Sequence, residues 1–177
     1  MVEILQVAHL GNNILRCQAQ PINNIWHESL QRLIDDLIAT VVATNGVGIA
    51  APQVSQSDRL FIVASRPNLR YPNAPKMEPT AMINPRLISH SEEIVNDWEG
   101  CLSVPEIRGL VPRYRAIEVE YTSRKGQLQR QELTDFVARI FQHEYDHLEG
   151  ILFLDRVEST KDLMTEDEYQ KQIVNQL

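Results

Sequence analysis

The chain reads as an α+β fold, with antiparallel strands around a central metal-binding helix that carries H-E-x-x-H and a separate N-terminal packing helix. Three observations predict this. Leu30, Leu33, Ile34, Leu37, Ile38, Val41 and Val42 recur at helical spacing. Several short alternating or β-branched runs follow them. A helix with two histidines four apart comes only after those runs, and strands first with one central helix later is an α+β pattern.

The first helix is expected over about residues 25–44. Asn23 or Asn24 is placed to cap it, and Asn45-Gly46 to stop it. "GVGIAAPQ" (46–53) leads into "RLFIVAS", a short strand candidate. "SRPNLRYPNAPKMEP" is rich in Pro and Asn and reads as a surface loop. "TAMINPRLI" and "EEIVNDWEGCLSVP" read as strands with a turn at Ser89–Ser91. "AIEVEYTSRKGQLQRQEL" alternates around Lys125-Gly126 and predicts an antiparallel hairpin. A helix from about Thr134 to Glu149 then ends at Gly150, and "ILFLDRV" reads as one more strand. From Glu158 the tail is polar, with partial disorder expected.

The 177 residues suit one domain, 1–177, large enough to bury a core without disulfides. Net charge is −7, with no dense Lys/Arg run, which argues against a broad nucleic-acid or anionic-membrane footprint. No specific nucleic-acid motif is visible. "MVEILQVAHL" lacks a cationic n-region and a cleavage site, and no apolar run nears the roughly 20 residues of a membrane span. Cys17 and Cys101 are far apart and read as thiols. A cytoplasmic protein is expected.

Chemistry concentrates in "QHEYDHLEG" (142–150). On a helix His143 and His147 stack on one face and can reach one ion. Phe136 and Ile140 extend that face, so the ion would sit on the buried side. Glu144 lies one residue round, near enough to act on water without binding the ion. The bland alternative is a chance spacing with Glu144 as a surface acid. A catalytic site of this kind needs a third protein ligand and one open position. No histidine follows His147, and Glu166 and Glu168 lie in the polar tail. Cys101, in "WEGCLSVP", is the better candidate, although a lone cysteine is more often a small core residue. Two other readings stay open at this point. One is a general metalloendopeptidase with a tail carboxylate as third ligand. The other is a structural metal site closed by Cys17 or His90.

"GVGIAAPQ", "EGCLS" (99–103) and "QHEYDHLEG" together resemble, in order and approximate spacing, the three signature motifs of the peptide deformylases. "MINP", "RGLVPRY" and "GILFLDR" extend the resemblance over roughly residues 1–157. It implies a metallohydrolase of protein biosynthesis that removes the N-formyl group from the N-terminal formylmethionine of nascent polypeptides and releases formate. Cys101, His143 and His147 would hold one divalent ion, usually Fe²⁺, with Zn²⁺, Ni²⁺ or Co²⁺ able to substitute. Water in the fourth position would attack the formyl carbon, with Glu144 as general base and then acid. The Gln53 amide and the Leu102 backbone N–H would stabilise the oxyanion. The backbone of Val47, Gly48 and Ile49 would pair with the substrate as an added strand, and Val47, Phe136 and Ile140 would form the methionine pocket. Glu99 and Arg113 would support the site or contact substrate.

Two departures stand out. Asp135 occupies a position often held by glycine in the family, which bears on helix entry and pocket shape. Some members dock on the ribosome through a basic C-terminal helix. The tail here is acidic on balance and lends no support to more than transient ribosome contact. The sequence leaves the oligomeric state undetermined.

Overall fold

In the computed structural model, which describes residues 2–68 and 71–176, the apolar stripe of the first helix sets one face of the core. Helix α1 (Glu28–Ala43) buries Leu30, Ile34, Leu37 and Val41, while Val42 is exposed. Its cap is neither Asn23 nor Asn24. The His27 ring nitrogen Nδ1 accepts from the Ser29 N–H, and Asn24 instead turns the preceding chain by accepting from the Trp26 N–H. An imidazole nitrogen can accept this bond, although at 3.4 Å the contact is long, and His lies outside the usual Ser, Thr, Asp and Asn caps. The helix stops as expected, with Asn45 left-handed (φ 53°) and Gly46 N–H returning to Val41 O at 2.9 Å.

The chain then builds β1 (Gly48–Ala50), β2 (Leu60–Val63), β3 (Thr80–His90), β6 (Ala116–Thr122) and β7 (Leu128–Thr134) into an antiparallel sheet ordered β1-β2-β3-β6-β7. β2 explains the layering. Leu60 and Ile62 pack toward α1 with Ile34, Leu37 and Val41. Phe61 and Val63 pack toward the second helix, α2 (Asp135–Leu148), with Ala138, Phe141 and Leu148. A strand covered on both faces reads as an unbroken apolar run, as "LFIV" does. Phe61 and Phe141 meet edge to face at 5.1 Å. Truncating such a buried ring to alanine costs about 3–5 kcal/mol. The hairpin expected around Lys125-Gly126 is β6–β7, in register from Ala116↔Thr134 to Thr122↔Leu128.

A second antiparallel sheet, ordered β4-β5-β8, joins β4 (Ile94–Cys101), β5 (Val104–Tyr114) and β8 (Leu163–Thr165). The turn after His90 therefore sends the chain from one sheet to the other. β5 has no counterpart in the sequence reading, because Pro105 and Pro112 break up what would otherwise look like a strand. Leu102 and Ser103 alone separate β4 from β5, and a register shift at Gly100/Cys101 turns the end of β4.

Two further expectations meet a different structure. "ILFLDRV" is not a strand: Phe153–Asp155 is a 3-10 turn, closed by the Leu152 N–H donating to the Asp155 carboxylate at 2.8 Å. The tail after 157 contains β8 and a short helix, α3 (Glu166–Gln172), whose Tyr169 is buried. The Pro-rich stretch runs as irregular chain on both sides of residues 69 and 70, which lie outside the described residues. Among the described residues no helix is long and apolar enough to cross a membrane.

Candidate metal centre and its cleft

Two elements from different layers converge on the site. α2 carries His143, Glu144 and His147, and the end of β4 carries Cys101. Gly150, at φ 72°, ends the α2 segment where the sequence placed its cap. Candidate ligand atoms of Cys101, His143 and His147 lie within 4.8 Å of one another. Cys101 Sγ is 3.3 Å from His147 Nε2. No other group of three His, Cys, Asp or Glu side chains among the described residues converges in this way. The alternative ligands are engaged elsewhere. Glu166 binds Arg108, Glu168 binds Lys171, Cys17 is exposed, and His90 stacks on Tyr114.

The donor set fits a divalent ion. It offers one soft sulfur and two imidazoles, and three protein ligands leave room for a fourth partner. His143 is oriented for this role by its other nitrogen, Nδ1, which lies 2.9 Å from Glu99 Oε2. His147 Nδ1 is buried without a protein partner.

Glu99 is the hub of a buried charge cluster. Arg113 donates to both of its oxygens, at 2.9 and 3.0 Å, and Arg139 donates at 2.8 Å. Arg113 also donates to Asp146 at 2.5 Å, and Asp146 in turn holds Arg156. Burial alone would raise the Glu99 pKa. Arg113 and the His143 contact overcome it and hold the carboxyl well below its usual range. These are the partners that the sequence could not assign to Glu99 and Arg113. Arg139 was missed as well, although it sits four residues before His143 on the same helical face.

The imidazoles are driven apart. Burial works against charge on His143, yet contacts with Cys101 and Glu99 raise its pKa. Burial, then His143 and Arg113, push His147 down. Burial pushes Glu144 up to about 7. Its Oε2 has no hydrogen-bond partner. A buried, unpartnered carboxylate beside a ligand cluster is poised to exchange a proton.

An open cleft runs past these groups. Val47, Gly48, Gln53, Leu102, Phe136 and Ile140 line it. Ile49 does not: its side chain is fully buried in the cluster against α1, because alternation along β1 turns it away from Gly48 and Ala50. Only its backbone can contribute to the cleft side, since β1 is the outermost strand of its sheet, although all three of its residues are buried. Gly48 faces Glu144 so closely that a Cβ there would lie 2.4 Å from Oε1. Gln53 is held by its carbonyl, Oε1, which accepts from the Ala50 N–H at 2.9 Å. That leaves Nε2 pointing at Ser103 Oγ (3.1 Å) and Cys101 Sγ (3.5 Å). Tyr71 also lines the cleft, its ring 4.9 Å from Phe136. A tyrosine in a Pro- and Asn-rich loop carries no periodic signal that would single it out.

Asp135 opens α2 at φ 51° and ion-pairs with Arg115. Left-handed backbone at that position explains why glycine would suit it.

Comparison with known proteins brings these observations to one family. The model of the polypeptide deformylase family matches residues 4–163. Peptide deformylase 2 of Nostoc sp. is 68% identical over 169 residues, covering 96% of this chain and 94% of the relative. A class I type b peptide deformylase from Acinetobacter baumannii, solved with Met-Ala-Ser bound, superposes with a TM-score of 0.87 at 46% identity, covering 89% of this chain and 100% of that one. A peptide deformylase from Synechococcus elongatus, in complex with actinonin, gives a TM-score of 0.79 at 31% identity, with 95% and 85% covered.

Proposed function

The chain belongs to the polypeptide deformylase family, and on that premise we propose how its own residues hydrolyse the formyl group of an N-formylmethionyl peptide. The observation that carries the reading is the convergence of Cys101, His143 and His147 beside the buried, unpartnered oxygen of Glu144. The thiolate of Cys101 and the imidazoles of His143 and His147 would hold a divalent ion. Iron(II) is the ion we favour, with zinc, nickel or cobalt as substitutes. When bound, the ion supplies Lewis-acid polarisation of the formyl oxygen and makes water more acidic.

Glu144 accepts a proton from the attacking water. As the C–N bond breaks, it passes that proton to the leaving amine, so formate and a free N-terminus result. Gln53 Nε2, fixed by the Ala50 contact, donates to the developing oxyanion. The Leu102 backbone N–H, in the tight turn after Cys101, is the second donor. Each donor of this kind contributes about 3 kcal/mol to the transition state. The edge of β1, at Val47–Ile49, supports binding of the substrate as an extra strand. Pairing through the backbone accepts many sequences after the first residue. Val47, Phe136 and Ile140 receive the methionine side chain. A single catalytic domain acting on nascent chains in the cytoplasm, with only transient ribosome contact, suits this chemistry.

The test is formate release from formyl-methionyl and acetyl-methionyl tripeptides by protein purified without air. Rapid release from the first and almost none from the second is expected. Silence from a metal-replete sample sinks the proposal.

A further inference from the structure

We propose that Tyr71 is a specificity-determining residue of the cleft, held in place by the C-terminal segment Leu163–Gln172 through Arg108. The inference rests on the deformylase reading for its substrate. Tyr71 and Phe136 form one aromatic wall of the cleft, with ring centroids 4.9 Å apart at 51°. Tyr71 lies in irregular chain, where the turn bonds around it run to Asn68 and Ala74. Its ring needs an anchor from elsewhere, and Arg108 is that anchor. Arg108 Nη1 donates to the Tyr71 hydroxyl at 2.9 Å.

Arg108 is itself fixed from the opposite side. It is a cation with 1% exposure on β5. Its Nε and Nη2 donate to the two oxygens of Glu166, at 2.5 and 3.2 Å. Its guanidinium carbon lies 4.7 Å from the Tyr169 ring centre and 5.4 Å from that of Tyr71, so two aromatic faces flank it. β8 delivers Glu166 and Tyr169 to this place by pairing with β5, with Met164 opposite Arg108. Gly100, next to the candidate ligand Cys101, leaves the passage open. A Cβ there would come within 2.8–3.0 Å of three Arg108 guanidinium atoms. A planar fork takes up one orientation when both of its edges are occupied. Occupation by Glu166 therefore fixes the direction in which Nη1 points at Tyr71. Tyr71 is the residue that meets substrate. Arg108 and Glu166 are positioning residues.

The wall should sense only a side chain long enough to reach it. We would compare formyl-Met-Ala-Ser with formyl-Ala-Ala-Ser in wild type, Glu166→Gln and Tyr71→Phe, with metal content measured in each. The Glu166 change is nearly isosteric and sits at a part-exposed side chain, so folding survives. Expected for Glu166→Gln is a rise in KM for the methionyl substrate of roughly fivefold or more, with kcat within about twofold and the alanyl substrate unaffected. Tyr71→Phe, which keeps the ring and loses the tether, should show the same loss of Met-over-Ala preference. An unchanged preference in both variants, or an equal loss on both substrates, overturns the inference. If the wild type releases no formate at all, the activity reading fails separately. Calorimetry with Met-Ala-Ser and Ala-Ala-Ser then decides the wall: discrimination lost in the two variants supports it, and discrimination retained refutes it.

Discussion

Replacing Gly48 by alanine tests the closest contact in the cleft. An alanine Cβ would stand 2.4 Å from Glu144 Oε1, 2.8 Å from Cδ and 2.9 Å from Cγ, whereas real Cβ atoms do not approach below 3.0 Å. The carboxylate must therefore retreat by at least 0.6 Å, and it has little room, being 4% exposed. A misplacement of about 1 Å in a reacting group can lower turnover about 100-fold, or about 2.7 kcal/mol in the barrier. For Gly48→Ala we expect kcat for formate release to drop by roughly 30- to 100-fold. Metal content should stay at the wild-type level, because Cys101, His143 and His147 are untouched. Steady-state kinetics on formyl-Met-Ala-Ser, paired with metal analysis of the same sample, give both quantities. A variant with full metal and near wild-type kcat would refute the placement of Glu144 in the proton path, or the rigidity assigned to it.

Three more changes probe the same frame. Glu144→Gln keeps the shape and removes the base, so formate release should fall about 10²- to 10⁴-fold with metal retained; activity close to wild type contradicts the assignment. Cys101→Ser exchanges a soft ligand for a hard one. The cobalt-loaded variant should lose the sulfur-to-metal absorption band of the wild type and release cobalt to a chelator more readily; an identical spectrum removes the thiolate from the ligand set. Asp135→Gly relieves a left-handed residue, worth about 1 kcal/mol, and gives up an exposed pair with Arg115 and a first-turn acidic charge on α2. The melting temperature should rise by about 2 °C, and a fall would mean that the pair and the charge outweigh the strain.

Much of this arrangement was legible in the residues themselves. The α1 stripe, the β6–β7 hairpin and the histidine helix each follow a single period, and local pattern reports them well. The grouping of Cys101, His143 and His147 was legible in part, because the two histidines share a helical face, whereas Cys101 stood out through the resemblance of its motif. What escaped depends on contacts distant in sequence. β5 holds two prolines and is a strand because β4 and β8 flank it. Arg139 and Arg113 look like ordinary cations until Glu99 is brought between them. Ile49 illustrates the parity of a strand: one residue along from Gly48, its side chain belongs to the opposite face.

The three candidate ligands belong to separate parts of the fold, Cys101 to the three-stranded sheet and both histidines to the helix packed on the five-stranded one. Cys101 and His147 are 46 residues apart in sequence, so an ion joining them closes a long loop much as a cross-link would. With such an ion bound, metal occupancy would be a stability parameter as well as a catalytic one. Free ion at 100 times its dissociation constant adds about 2.7 kcal/mol to the folded state. Stripping the ion should loosen the seam between the two sheets first, and hydrogen exchange would register this along β4 before it reached the interior of β2.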